Sequence, residues 1–126
     1  MKKIKVIIKR PGEKPHSTWI SNSLKNLQLT VDGHIETVTV TPDMVIICNE
    51  EGRIRELPYN CTVAGIDFVG TVIFAGVKDD EFADIPYDYQ EFRQNFWNIY
   101  EPWVTEHKAF MAGLDKVIAE MGEDPI

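Results

Sequence analysis

The residues best suited to bind a ligand are grouped around one predicted turn. Asn49, Glu50 and Gly52 follow an apolar run, and Arg55 and Asn60 come soon after them in the chain. An asparagine amide both donates and accepts hydrogen bonds, and a glutamate carboxylate can hold an amine or a sugar hydroxyl. We therefore take Asn49, Glu50, Arg55 and Asn60 as candidate ligand-binding residues. The alternative is turn chemistry, in which Asn satisfies local backbone groups and Gly supplies an unusual φ angle.

Two arginines beyond this turn offer a second kind of contact. Arg53 and Arg55 alternate with Ile54 and precede Leu57, which predicts a short strand with both guanidinium groups on one face. Such a pair could clamp a phosphate or a carboxylate. A solvated strand face is the simpler interpretation of the same pattern.

The sequence contains the residue types of a cysteine–histidine enzyme but no signature for one. Cys48 and Cys61 could act as nucleophiles only with a base such as His16 or His34 within hydrogen-bond reach, and no local motif supports that arrangement. The histidines, with His107, are too widely spaced for a metal-binding helix, and no glycine-rich nucleotide fingerprint is present. We predict no catalytic residue, no metal and no cofactor.

The charges are distributed unevenly along the chain. Residues 1–14 hold six basic residues and one acidic residue, a net charge of +5, whereas residues 79–126 hold three basic and twelve acidic residues, a net charge of −9. The whole chain carries −7. Nucleic-acid binding depends on Lys and Arg that neutralise phosphates, so we expect no direct nucleic-acid contact. The acidic end is either a solvated helical surface or a face directed at a basic partner.

Compartment is inferred from two features of the sequence. No apolar stretch approaches the roughly 18 residues of a membrane span, and lysines interrupt the apolar residues near the start, unlike a secretory signal. We expect a cytoplasmic protein with no membrane contact, whose two cysteines are reduced and partly buried.

Hydrophobic periodicity predicts an α+β fold with a mostly antiparallel sheet of roughly five or six strands. A helix of about ten residues is expected after the second strand, between the cap residues Ser21-Asn22-Ser23 and Gly33, with Leu24, Leu27 and Val31 as its apolar stripe. The run 44–48 is uniformly apolar and predicts a central strand buried on both faces. The other predicted strands are residues 3–9, 17–20, 34–40, 53–57 and 68–77.

The chain of 126 residues is long enough for one domain, which we divide into two parts. Residues 1–78 form a mainly β unit, and residues 79–126 form an acidic helical extension. The extension is dense in aromatic residues. Phe92 and Phe96 fall on the predicted core face of a helix. Trp97, Tyr100 and Trp103 are candidate partner-binding residues, because aromatic anchors dominate interface energetics, and packing onto the chain's own sheet is the alternative.

Three segments together resemble a known family. They are Val45–Gly52 with its Asn-Glu-Glu-Gly turn, Leu57-Pro58-Tyr59-Asn60, and Phe68–Gly76 with its Gly-Thr step. Over about residues 2–80 the chain resembles domain of unknown function 3846, which occurs in bacterial mobile elements and phages. The resemblance implies an accessory protein of a mobile element and carries no activity.

Two functions remain open at this stage. The first is a non-enzymatic binding or interaction protein of a mobile genetic element or phage, acting by stoichiometric contact with a protein partner. The second is a small-ligand-binding module or weak enzyme with a pocket near the Asn-Glu-Glu-Gly turn. A structural role as the subunit of a homo-oligomer is a third possibility.

Overall fold

The computed structural model of the protein describes residues 2–92. Over this range the chain forms a mostly antiparallel sheet with few helices, which confirms the predicted α+β class. The greater part of the acidic helical extension, including the predicted core residue Phe96, lies outside the described residues.

Eight strands and two helices follow one another along the described chain. The strands are β1 Lys3–Lys9, β2 His16–Ser21, β3 Ile35–Thr41, β4 Met44–Asn49, β5 Tyr59–Val63, β6 Ile66–Val69, β7 Val72–Lys78 and β8 Glu81–Ala83, and the helices are α1 Leu24–Val31 and α2 Tyr89–Phe92.

The strands form two sheets in which every pairing is antiparallel. The main sheet has six strands, five of them in the order β2-β1-β7-β4-β3. The sixth strand, β8, pairs with the second half of β7, whose first half pairs with β1. Strands β5 and β6 form a separate two-stranded sheet, the β5–β6 hairpin. The outermost strands of the main path are therefore β2 and β3.

The central strands of the main sheet are buried on both faces, as predicted for residues 44–48. All six residues of β4 are buried, and so are the first five of β7. One face packs against α1 through Leu27 and Val31. The opposite face packs against the β5–β6 hairpin and α2 through residues such as Phe68 and Phe92. The fold thus has three layers, with the sheet between a helix and a hairpin.

Helix α1 follows the sequence prediction in most details. Its N-cap is Ser23, whose side chain accepts a hydrogen bond from the Asn26 N–H. The helix ends where Asp32 adopts a left-handed conformation with φ 63°. Leu24, predicted to belong to the apolar stripe, is instead exposed, because the sheet covers only the side of the helix that carries Leu27 and Val31.

The predicted strand over residues 53–57 is wrong. Residues 50–56 form a compact helical turn, with the Leu57 N–H donating to the Gly52 carbonyl oxygen at 2.9 Å. The turn closes with Glu56 in a left-handed conformation, φ 56°, and its N–H donates to the Arg53 carbonyl oxygen at 3.1 Å. This pair of bonds is the pattern that ends an α-helix, so the backbone satisfies its polar groups locally and needs no partner strand.

The predicted long strand 68–77 is divided at Gly70. Gly70 has φ 74°, a left-handed conformation that breaks the extended chain between β6 and β7. Strand β5, which begins at Tyr59, is not among the predicted strands, because Pro58 and Asn60 are residue types typical of turns.

Strand β8 lies in the segment that the sequence assigns to the acidic extension. It pairs with β7 from Gly76 to Lys78, and Ile85 and Phe92 beyond it are buried in the core. A Cβ at Gly76 would overlap the carbonyl oxygen of Asp84, so only glycine allows the chain to pass this closely. The β body therefore continues past residue 78.

We predict that Gly76→Ala lowers the free energy of unfolding by about 2 kcal/mol or more, because the added methyl group must displace backbone rather than a flexible side chain. Gly12→Ala is the matched control: Gly12 has φ 77° but open space around it, so its cost is the conformational term of about 1 kcal/mol. Urea unfolding measures both. A Gly76→Ala cost no larger than that of Gly12→Ala would contradict the close approach of β8.

Candidate functional site

A cavity of about 270 Å³ lies between strand β3 and strand β6, beside the turn of residues 50–56. Glu36 and Val38 of β3 and Cys48 of β4 line one side. Asp67 and Phe68 of β6 line the other. We call this cavity the edge cleft, because it opens beside the outermost strand of the main sheet.

The turn completes the edge cleft with residues of mixed chemistry. Asn49, Glu50 and Ile54 contribute lining atoms, together with Gly52 and Arg53. Ile54 is 82% exposed, an unusual position for a large aliphatic side chain. The cleft thus offers an apolar surface with charged groups around it.

Close packing holds the turn against the β5–β6 hairpin. A Cβ on Gly52 would come within 2.8 Å of the Val69 Cγ2 atom, and one on Gly70 within 2.7 Å of the Leu57 Cδ1 atom. The Arg53 guanidinium donates a hydrogen bond to the Asp67 carbonyl oxygen. The turn and the hairpin, which both line the cleft, are therefore held together by packing and by a hydrogen bond.

Cys48 supplies a thiol to the edge cleft. Burial, the largest cause, and the nearby Glu36 carboxylate raise the pKa of this thiol from its ordinary value of 9.0 to about 11, a net rise that Arg53 partly offsets. The thiolate is the reactive form of cysteine, so near neutral pH this thiol is protonated and a poor nucleophile. Within residues 2–92, Cys48 and Cys61 are both buried and form no disulfide with each other.

Asn49 satisfies backbone groups of the protein itself, the structural role that the sequence offered as the alternative to ligand binding. Its amide nitrogen donates to the carbonyl oxygens of Val31 and Asp32, at 3.1 and 2.9 Å, where helix α1 ends. Its Oδ1 atom accepts from the Glu51 N–H at 2.7 Å. The last carbonyls of a helix lack partners within the helix, so this buried amide closes α1 and starts the turn at once.

Arg55 also serves the end of α1. Its guanidinium donates to the Asp32 carbonyl oxygen at 2.6 Å and to the Asp32 carboxylate at 3.0 Å. A cation is favourable at a helix C-terminus, although the exposed ion pair itself contributes little. Because residues 50–56 form a turn rather than a strand, Arg53 and Arg55 bind different partners, and the predicted shared face is wrong.

Asn60 is buried away from the edge cleft. Its amide nitrogen donates to the carbonyl oxygens of Lys9 and Gly70, at 2.8 and 2.6 Å, and so ties β5 to the end of β1 and to the bend before β7. Its Oδ1 atom has no hydrogen-bond partner among the described residues.

The edge cleft brings together only part of the predicted set. Asn49 and Glu50 line it, whereas Arg55 and Asn60 do not. Glu36 and Asp67 line it and were missed, since they come from strands far apart in sequence and neither belongs to a motif. Trp97, Tyr100 and Trp103 lie outside the described residues, so their role in partner binding stays a prediction.

Two further features concern metals and membranes. Within residues 2–92, no three side chains of His, Cys, Asp or Glu are grouped so that they could hold a metal ion. In the same part of the chain, no helix has the length and apolar character needed to cross a membrane.

A family model matches most of the chain, and this match identifies the family. The model of the domain of unknown function DUF3846 matches residues 4–96, from the first strand to beyond α2. The chain belongs to this family. The match extends further than the predicted 2–80 and includes β8 and α2, which agrees with their place in the β body. Comparisons with curated proteins and with solved structures gave no match.

We predict that Asn49→Ala lowers the free energy of unfolding by about 2–4 kcal/mol, because it leaves two helix-end carbonyls and one turn N–H without their partner in a buried place. Asn26→Ala is the matched control, since the Asn26 amide makes one long hydrogen bond of 3.4 Å to Ser21 in a half-buried position. Its expected cost is below about 1 kcal/mol. Equal costs in urea unfolding would show that Asn49 does not close the helix.

We predict slow alkylation of Cys48 by iodoacetamide in the folded protein near neutral pH, with a rate that rises as the pH approaches about 11. Glu36→Gln should lower the pKa and accelerate the reaction, and Arg53→Gln should slow it. Peptide mapping by mass spectrometry assigns the modified residue. The reverse order of the two variants would contradict the electrostatic account.

The same pKa has a consequence for stability. The folded value lies above the ordinary 9.0, so the contribution of the protonated thiol is complete below pH 9.0 and is lost as the pH rises through about 11.

Proposed function

We propose that this protein is a non-enzymatic binding protein that acts by stoichiometric contact, as an accessory factor of a mobile genetic element or phage. The edge cleft is the contact site, and its partner is a protein. The association with mobile elements rests on the family resemblance described above.

The composition of the edge cleft is the observation that carries this proposal. Val38, Phe68 and Ile54 provide apolar surface, and the charged residues Glu36, Glu50, Arg53 and Asp67 belong to the same lining. Binding sites combine an apolar lining with a few polar groups that set orientation. The cleft fits that description.

The internal use of the predicted polar residues supports the same proposal. The amides of Asn49 and Asn60 bind backbone carbonyls of the protein itself. The thiol of Cys48 is held in its unreactive form by burial. Both amides are therefore engaged within the protein, and the Cys48 thiol is protonated near neutral pH, which favours contact over reaction.

A small-molecule site is the second candidate. The volume of about 270 Å³ lies close to the lower range of ligand pockets, and the Asn-Glu-Glu-Gly turn lines it as the sequence suggested. The experiment below separates the two candidates.

The test places a photo-crosslinking residue, p-benzoylphenylalanine, at Ile54 in the full chain expressed in its own host. The matched control carries it at Leu29, which is 70% exposed on α1, on the opposite face of the sheet. We expect one protein adduct of defined stoichiometry from position 54 and none from position 29, because only the former borders the cleft.

Native mass measurement of the unmodified protein from the same host completes the experiment. A bound small molecule without any adduct at position 54 would replace the proposal by the second candidate. Equal adducts at both positions would show that the cleft is not the contact site.

A further inference from the structure

Strand β3 presents an open edge. On the main path of the sheet it pairs only with β4, and within residues 2–92 no strand pairs with its other side. The Glu50 N–H donates to the His34 carbonyl oxygen at 3.0 Å, which sets the alternation of the ladder. Because antiparallel partners alternate, Ile35, Thr37 and Thr39 direct their backbone N–H and C=O groups away from β4.

The side chains next to this edge belong to the edge cleft. Glu36 and Val38 pair with Cys48 and Ile46 of β4, whose side chains lie on the hairpin side of the sheet. A strand added beside β3, about 4.8 Å away, would therefore project every second side chain over the cleft. The open edge and the cleft form one continuous surface.

The opposite wall cannot accept a strand in the same way. The Arg53 guanidinium occupies the carbonyl oxygen of Asp67 on β6. That contact blocks the outer edge of the β5–β6 hairpin near its middle. Of the two strands that border the cleft, β3 is the one with its backbone groups exposed in a row.

The charges around the cleft select the partner. Three acidic residues, Glu36, Glu50 and Asp67, are among its lining residues, against one basic residue, Arg53, whose guanidinium is already engaged. The Asp67 carboxylate accepts a hydrogen bond from the Thr62 hydroxyl at 2.6 Å, so Glu36 and Glu50 are the acidic residues left for a basic partner. An extended segment with an apolar side chain for the cleft and basic side chains on either side of it matches this pattern. Main-chain bonds to an edge strand supply affinity, and pockets for alternate side chains supply specificity.

The geometry points to β-strand addition: an extended, basic segment of a partner protein pairs with β3 and places one apolar side chain in the edge cleft. This inference rests on the proposed function and names the chemistry of the partner and its mode of binding.

The probe is the capped heptapeptide Thr-Lys-Thr-Leu-Thr-Lys-Thr, in which leucine and both lysines share one face of a strand. Its counterpart carries glutamate in place of lysine. We expect saturable binding of the lysine peptide to the full chain at or below about 1 mM in an NMR titration. We expect the affinity of the glutamate peptide to be lower by a factor of about ten or more, because like charges meet at the cleft.

A proline variant tests the backbone contact. Thr37→Pro removes one outward N–H without removing a bond of the β3–β4 ladder, a substitution that edge strands tolerate. The matched control is Ser17→Pro on β2. The Asn22 N–H donates to the Lys2 carbonyl oxygen at 2.8 Å, so the Ser17 N–H also points outward, but far from the cleft.

We expect Thr37→Pro to lower the affinity for the lysine peptide by about fivefold or more, which corresponds to the loss of one hydrogen bond. Ser17→Pro should change that affinity by no more than about twofold. In the unmodified protein, the peptide should slow amide exchange at Ile35, Thr37 and Thr39. That measurement keeps the proposal testable even where Thr37→Pro fails to fold.

The other outcomes overturn the inference in distinguishable ways. No saturable binding refutes it, as does binding that shifts cleft residues without slowing exchange on β3. The proposed function then still stands or falls with the crosslink at Ile54. Slow exchange on β3 without peptide, together with a mass that doubles with concentration, would assign the edge to a second copy of this chain.

Discussion

The burial of β4 and β7 on both faces is the constraint on which the rest of the fold depends. A strand covered by a helix on one side and a hairpin on the other has no face left for polar side chains, and residues 44–48 accordingly contain none that is charged. Each large aliphatic side chain buried here contributes about 1.5–3 kcal/mol relative to an exposed one. Polar chemistry is consequently displaced to the ends and edges of the sheet, where the cleft is found.

The last residue of β4 shows how this constraint is met. Asn49 ends the strand, closes helix α1 and begins the turn with one amide group. Asn60 does comparable work between β5, Lys9 and Gly70. Buried amides with several backbone partners fix the relative positions of elements that apolar packing alone would leave free to slide. Polar residues near a candidate site can therefore be part of the frame that shapes it.

Local patterns in the sequence predicted the elements whose signal is local. The alternation over β1, the apolar run of β4 and the serine cap of α1 each depend on neighbouring residues, and each element lies where it was expected. The turn of residues 50–56 was misassigned, because Arg-Ile-Arg alternates like a strand while Glu56 adopts a left-handed conformation that propensity disfavours.

The candidate site could be predicted only in part for a related reason. Asn49 and Glu50 lie where an apolar run meets a turn, so a local pattern predicts them. Glu36 and Asp67 reach the cleft only through the pairing of β3 and the packing of β6. Nothing within a short window of sequence records which strand lies opposite another. Edge position is a property of the complete sheet order, so the open side of β3 became visible only with the topology.

The sheet order also bears on how the chain reaches its native state. β1 lies in the interior of the sheet, and its inner neighbour is β7. The pairing of Lys9 with Val72 therefore joins residues that are far apart in the sequence. As the polypeptide is synthesised, the ribbon of β1 and β2 and the ribbon of β3 and β4 can each form early as local hairpin-like units. Neither pair of strands can reach its final place in the sheet until β7 has been synthesised and pairs with both β1 and β4. Completion of the sheet therefore depends on contacts between residues distant in sequence, which form slowly.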